Sequence, residues 1–191
     1  MTTDIGRPRD PRIDGAVLRA TVDLLGATGY AALSVDAIAR RAGTSKPAIY
    51  RRWPSKAHLV HEAVFPIDSA TELPDTGSLS GDVREMVRRT VAVLTTPAAI
   101  AALPGLVGEM AADLTLHTAL LERFGDILSR GLTERLNDAE ARNEIRPDVT
   151  AAELTEALAG ITLLALLTRG ATLDDAWAER TATLILRGIS R

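Results

Sequence analysis

The apolar residues of this chain recur at intervals of three and four positions along almost its whole length, which is the spacing of amphipathic α-helices. Clusters of Pro, Gly, Ser and Asp separate the periodic segments, and none of the segments has the two-residue period of a strand. Helices are predicted over residues 10–29, 34–42, 45–53, 55–65, 81–96, 104–114, 119–142, 152–168 and 174–189. The pattern therefore predicts an all-α fold of about nine helices.

Two of these helices are short and are joined by a glycine turn, in the segment SVDAIARRAGTSKPAIYRRWPSK that begins at Ser34. Ser34 and Ser45 stand where each helix needs an N-cap, and Gly43 follows the last apolar residue of the first helix. The second helix is expected to end near Trp53, because a proline follows. A helix, a three-residue turn and a second short helix form the helix-turn-helix layout, whose second helix enters the major groove of DNA.

The charge of this segment changes the picture from a generic helical hairpin to a candidate DNA-binding element. Between Thr44 and Lys56 there are four basic residues and no acidic one, and both lysines of the chain lie in this window. Duplex DNA carries a dense line of phosphates, so a recognition helix needs nearby cations and small polar residues at its tip. The alternative interpretation is a solvated cationic hairpin without a partner.

The candidate DNA-binding element lies in the N-terminal part of the 191-residue chain, which is more basic than the rest. The residues up to Glu62 carry a net charge of +4, and the remainder carries −7, as expected when only one part meets nucleic acid. The absence of cysteine excludes disulfides, and the N-terminus lacks the apolar run of a secretory signal. The uncharged run between Ala157 and Arg169 is too short to span a bilayer. We therefore expect a soluble, cytoplasmic protein that is associated with the nucleoid when bound to DNA.

The segment from Arg12 to Val64 resembles the DNA-binding domain of the TetR family of bacterial transcriptional regulators. It has the family's glycine-aromatic pair after the first helix, a second helix that starts with Ser and ends in Ala-Gly, an aromatic residue at Tyr50, and Pro-Ser-Lys at the start of the fourth helix. One departure is Arg-Arg-Trp at 51–53, where Tyr or His followed by Phe is more usual. The resemblance implies a three-helix helix-turn-helix domain with a connecting fourth helix over residues 10–65, and a helical ligand-binding and dimerisation domain over residues 66–191.

The resemblance also implies roles for individual residues. Those expected at the floor of the major groove are Thr44, Ser45, Lys46, Pro47 and Arg51. Those expected at phosphates are Ser34, Tyr50, Arg52 and Lys56. Trp53 is interpreted as an apolar anchor between the third and fourth helices. Arg7, Arg9 and Arg12 form an arm that either enters a minor groove or is disordered.

The last two predicted helices have more apolar surface than one core face requires. Two interpretations remain: a deeply buried central helix, or a homodimer through a four-helix interface built by the last two helices of each subunit. The resemblance implies the homodimer, which would place two recognition helices one DNA turn apart on a palindromic operator. The predicted interface residues are Leu158, Ile161, Leu164, Ala165, Trp177, Thr181, Leu184 and Ile185.

The resemblance implies a repressor that leaves its operator when a small effector binds the second domain. The composition of that domain leads us to expect a lipophilic compound. Candidate pocket residues are Met86, Met110, His117, Phe124, Leu128 and Trp177. The alternative is a DNA-binding regulator controlled by a protein partner or not controlled at all.

Enzymatic interpretations are weak. His58, His61 and Glu62 have a spacing that can chelate a metal, but a packed or solvated helix face explains them as well. Glu109, Asp113 and His117 are spaced by four, yet they are expected to cross a helix end. Phosphate-loop and dinucleotide fingerprints are absent, so we expect neither an enzyme nor a cofactor.

Overall fold

The protein is built from α-helices. The computed structural model describes residues 11–66, 73–169 and 173–191, with the side chains of these residues except 11, 121–130 and 169. Within these ranges the helices are α1 Pro11–Ala32, α2 Val35–Arg41, α3 Lys46–Tyr50, α4 Lys56–Val64, α5 Leu79–Leu94, α6 Pro97–Ala112, α7 Leu114–Ala141, α8 Ala151–Arg169 and α9 Asp175–Ile189. The predicted all-α class is confirmed; the described residues contain a single isolated bridge, between Ile145 and Ser190, and no strand.

Several helix ends follow the local signals of the sequence. Gly43 adopts φ 66°, the left-handed conformation that a residue without Cβ enters cheaply. The Ser45 hydroxyl accepts the Ala48 N–H at 3.3 Å and so caps α3. Thr150 and Glu153 form a reciprocal capping box at the start of α8: the Thr150 N–H donates to the Glu153 carboxylate at 2.9 Å, and the Glu153 N–H donates back to the Thr150 hydroxyl at 3.2 Å.

Other helix ends differ from the prediction. The first helix is broken at Gly29, at φ 74° and ψ 169°, but α1 extends beyond it to Ala32. The predicted short helix starting at Pro104 is wrong: α6 begins at Pro97, capped by the Thr96 hydroxyl, and Pro104 lies inside it. α7 begins at Leu114 because the Asp113 carboxylate accepts N–H groups of that first turn, and not at residue 119 as predicted.

Two hydrophobic clusters organise the helices. One contains the buried residues of α1–α4 together with those of α6 and the start of α7. The other contains α5, the C-terminal half of α7, α8 and α9. α6 packs most extensively on α1 and also contacts α4, α5 and α7. The division predicted near residue 65 therefore separates the chain in sequence, whereas the packing includes α6 with the N-terminal helices.

The contact between α1 and α6 is centred on one aromatic ring. Tyr30 is buried, and its ring lies so close to Gly105 that a Cβ at that glycine would overlap it. On the α4 side, the Lys56 ammonium lies 4.1 Å from the centroid of the same ring and donates to the Tyr30 carbonyl at 3.1 Å. Burial, followed by the neighbouring Glu109 carboxylate, raises the pKa of Tyr30 above its ordinary value. Tyr30 thus joins α1, α4 and α6.

We expect Gly105→Ala to destabilise the protein, because the added methyl group would push against the buried Tyr30 ring. Overpacking of this kind costs about 1–3 kcal/mol. Gly108→Ala is the matched control: it lies in the same helix with open space around its Cβ position. That control should stabilise the protein by up to about 1 kcal/mol, because alanine is a better helix former than glycine.

The measurement is the free energy of unfolding from denaturant titration of both variants and the wild type. Equal stabilisation by the two substitutions would show that Tyr30 and α6 are not tightly packed.

Candidate nucleic-acid interface

The α2–turn–α3 unit is held by backbone geometry and a buried face. In the turn, the Thr44 N–H donates to the Ala39 carbonyl at 2.9 Å across Gly43. Ile49 is the buried residue of α3, and Trp53 is buried immediately after the helix. The Trp53 indole N–H donates to the Glu62 carboxylate of α4 at 2.9 Å, which confirms its predicted role as an anchor between the third and fourth helices.

With this face buried, the opposite residues of α3 and its flanks point to solvent. They form what we call the recognition surface, which consists of Ser45, Lys46, Pro47, Tyr50 and Arg51. Tyr50 is a large aromatic residue that is 41% exposed. Thr44 is half-buried beside this surface. The residues that the sequence assigns to the groove floor therefore lie together, and their DNA contacts remain a prediction.

Lys46 does not stand alone on this surface. Its Nζ lies 2.8 Å from Oδ2 of Asp36, in the first turn of α2. The hydrogen bond to Asp36, followed by the charge of that carboxylate, raises the pKa of Lys46 above its ordinary value.

The predicted phosphate role of Arg52 does not fit its position. Its guanidinium forms an ion pair with Asp14 in the first turn of α1, and its side chain is only 18% exposed. Nη1 also lies 3.4 Å from the Ala48 carbonyl of α3. A charge turned inward and paired in this way supports the position of α3 against α1 and offers little to a phosphate.

The phosphate contacts of the other three residues, Tyr50, Lys56 and Ser34, stay predictions. Lys56 is half-buried, with its ammonium at the Tyr30 carbonyl and ring. Ser34 occupies the N-cap position of α2, but its hydroxyl makes no capping hydrogen bond and is exposed. In the predicted N-terminal arm, Arg12 is an exposed residue of α1, whereas Arg7 and Arg9 lie outside the described residues.

Sequence reasoning missed the acidic partners of this site. These partners belong to α1 or α2: Asp23 pairs with Arg41 of α2 at 2.8 Å, Asp36 pairs with Lys46 of α3, and Asp14 pairs with Arg52, which follows α3. A count of charges by segment cannot reveal such pairs. Only Asp36 gives a sequence signal of such a pair, because it is the single acid of a helix that ends with two arginines and is followed by Lys46.

The predicted effector residues whose side chains the structure describes do not form one group. Met86 and Trp177 are buried in the cluster of α5, α8 and α9, whereas Met110 packs against the cluster of the N-terminal helices. His117 is half-buried on α7, and the side chains of Phe124 and Leu128 lie outside the described residues. An open cleft of about 310 Å³ between α5 and α9 is instead lined by Arg84, Arg88, Asp175, Ala178 and Glu179.

The predicted dimer residues divide into two groups. Leu158, Ala165, Trp177, Thr181 and Ile185 are buried in their own subunit, so their place in a surface interface is not supported. Ile161 is half-buried. Leu164 and Leu184 are 62% and 63% exposed, and Leu167, which was not predicted, is also exposed. Helical spacing identified apolar residues correctly but could not tell the face that meets the subunit core from the outer face.

α8 is also a strongly apolar helix. Over Ala151–Thr168 it is long and apolar enough, by length and composition alone, to cross a membrane, so the shorter span judged from the uncharged run was an underestimate. One stripe of this helix is buried, and it consists of Ala151, Leu154, Leu158, Thr162 and Ala165. The stripe packs on α5 and α7.

The His, Asp and Glu side chains are not arranged as a metal site where the structure describes them. Among the described residues, no set of three or more His, Asp or Glu side chains is placed to hold a metal ion. His58 is bonded through Nδ1 to the Ser55 hydroxyl at 2.9 Å, and the buried His61 ring packs edge-on against Phe65. Asp113 lies at the junction of α6 and α7, so the row of Glu109, Asp113 and His117 is interrupted there.

Comparison with known proteins identifies one family over both parts of the chain. Residues 17–63 match the family described as bacterial regulatory proteins, tetR family, and residues 73–185 match the tetracyclin repressor-like C-terminal domain. The chain is 34% identical over 170 residues to the DNA-binding transcriptional repressor TetR of Mycobacteroides abscessus, covering 86% of this chain and 87% of that protein.

Solved structures agree. A TetR family transcription regulator superposes with a TM-score of 0.70 at 30% identity, over 93% of this chain and 98% of the other. NalD of Pseudomonas aeruginosa, the secondary repressor of the MexAB-OprM multidrug efflux pump, shares the fold with a TM-score of 0.63 at 23% identity, over 95% and 97% of the two chains. This chain belongs to the TetR family of bacterial transcriptional regulators, which are DNA-binding proteins and not enzymes.

Proposed function

We propose that this regulator is a homodimeric repressor that binds a palindromic operator in the cytoplasm and leaves it when a small lipophilic effector binds. The observation that carries the proposal is the recognition surface, an exposed polar and cationic face on a helix whose other face is buried. Ser45, Lys46, Pro47 and Arg51, with Thr44 beside them, meet base edges in the major groove. Tyr50, Lys56 and Ser34 bind phosphates and fix the orientation of the protein.

Exposed leucines support the dimer. Three leucines lie outside the subunit core: Leu164 and Leu167 on α8 and Leu184 on α9. Because they are exposed to water, they do not contribute the stabilisation that burial of a leucine side chain provides. A two-fold interface that covers them would remove this cost and place two recognition surfaces about 34 Å apart, one turn of DNA. The buried side chains of the same two helices then support the interface from inside each subunit; they are Leu158, Ala165, Trp177, Thr181 and Ile185.

The packing of α6 supports release by an effector. α6 contacts α1 and α4 as well as α5 and α7, so a ligand that displaces it also displaces Tyr30 and, through Tyr30, Lys56. Such coupling requires the effector to bind one state better, typically by about 1–3 kcal/mol. The open, charged cleft between α5 and α9 favours the alternative, a regulator without a lipophilic effector.

Thermal-shift screening distinguishes the two. Only an effector-controlled regulator gains stability with a small lipophile that also lowers operator binding.

The test of the proposed function is selection of bound fragments from a random DNA library by the purified protein. The salt concentration must be fixed, at about 150 mM, because phosphate contacts make the affinity depend steeply on salt. We expect enrichment of a two-fold-symmetric site. No enrichment by a folded, dimeric protein would contradict operator binding by this chain alone.

Two substitutions separate base reading from phosphate binding. Arg51→Ala should relax the base preference at one operator position, a loss of about 1–3 kcal/mol of discrimination. Lys56→Ala should weaken binding to all sequences alike and reduce the slope of log affinity against log salt by about 1. Binding to operator variants over a salt series measures both effects.

Because Lys56 also contacts Tyr30, the free energy of unfolding of its variant is measured in parallel. A uniform loss of affinity in Arg51→Ala would assign that arginine to a phosphate.

Leu184→Asp should shift the protein from dimer to monomer, because it would bury a carboxylate at the proposed interface. Leu114→Asp is the matched control, since Leu114 is an exposed leucine at the start of α7 and outside the proposed interface. Sedimentation velocity at micromolar concentration measures both. A dimeric Leu184→Asp variant would exclude this face as the interface.

A further inference from the structure

An ion pair joins the recognition surface to the preceding helix. Lys46 Nζ lies 2.8 Å from Asp36 Oδ2, and the two side chains are 47% and 57% exposed. Lys46 begins α3, and Asp36 lies in the first turn of α2. A carboxylate therefore lies beside the surface that is proposed to bind DNA. Its negative charge repels the DNA phosphates, so a functional reason for its position is expected.

We propose that Asp36 is a specificity-determining residue that acts through Lys46. By holding the ammonium at the start of α3, Asp36 keeps it from the phosphates of arbitrary sequences and leaves it available to a base edge of the operator. This inference rests on the proposed operator binding.

The physical reason lies in the chemistry of lysine. A lysine is a compact charge on a flexible stem with three donors, so without a partner it binds whichever phosphate is nearest. Such a contact adds affinity for every sequence alike and carries no base information. Pairing with a carboxylate neutralises the cation on random DNA, and the carboxylate repels nearby phosphates. Specificity is thus gained by weakening the wrong complexes.

The chain provides a matched comparison. Arg41 and Asp23 also form an ion pair at 2.8 Å, and both side chains are about half exposed. They join α2 to α1, and neither residue belongs to α3. Asp23→Asn therefore removes the same charge from the same kind of pair without touching Lys46.

The experiment compares full-length wild type, Asp36→Asn and Asp23→Asn on two duplexes over a salt series. One duplex carries the selected operator, and the other is a scrambled duplex of equal length and composition. Asp36→Asn should bind the scrambled duplex about three- to tenfold tighter, with a salt slope steeper by about 1, since one more cation becomes available to phosphates. Operator affinity should change much less, so the ratio of the two affinities falls. Asp23→Asn should keep the wild-type ratio.

A Lys46→Ala background tests whether the effect passes through the lysine. In that background Asp36→Asn should leave the ratio unchanged, and Asp36→Glu in the wild-type background should keep the wild-type ratio. Equal tightening on both duplexes, or an undiminished effect without Lys46, would overturn the inference, because Asp36 would then act as a general repulsive charge.

Two controls keep the outcome interpretable. Asp36 also favours the start of α2 through the helix dipole, so thermal melting accompanies each variant, and Asp36→Ser replaces Asp36→Asn if the latter is unfolded. A wild type without preference for the operator duplex would refute the proposed function itself. A wild type with that preference, and an Asp36→Asn variant with the same ratio, would refute only this inference.

Discussion

The placement of the N-terminal helices against the rest of the chain depends on the contact of the Tyr30 ring with Gly105. A glycine in α6 allows the helix to approach the ring directly, and Lys56 of α4 covers the ring from another side. Three helices that are distant in sequence therefore share one rigid aromatic group. The position of the recognition surface relative to the C-terminal helices follows from this junction, because α1 also carries the core on which α2 and α3 pack.

Pairing within the protein decides how the basic charge of the N-terminal part is used. Arg52 is turned toward Asp14, Lys46 is held by Asp36, and Lys56 is held by the Tyr30 carbonyl and ring. The net charge of this part attracts DNA at long range, and these partners reduce the number of unpaired cations that it presents at the surface. Arg52 thus contributes to the rigidity of the DNA-binding unit, whereas Lys46 remains exposed beside its carboxylate.

The fold was predictable where the signals are local, and the site was predictable only in part. Gly43 and Ser45 each act within a few residues, so the sequence alone identified these helix ends. Pro104 misled because a proline tolerated inside an apolar helix has the same appearance as one that starts a helix. The Arg52–Asp14 pair and the buried faces of α8 and α9 depend on residues far apart in the chain, which periodicity does not specify.

The inclusion of α6 in the core of the N-terminal helices has a consequence for the exchange of parts between related regulators. A chimera joined at residue 66 would take its DNA-binding helices from one parent and the helix that completes their core from the other. The incoming helix would need a glycine opposite Tyr30. A larger residue there would clash with the ring and push the helix away from the DNA-binding helices. Functional hybrids of this protein are therefore expected when the helix equivalent to α6 is exchanged together with the DNA-binding helices.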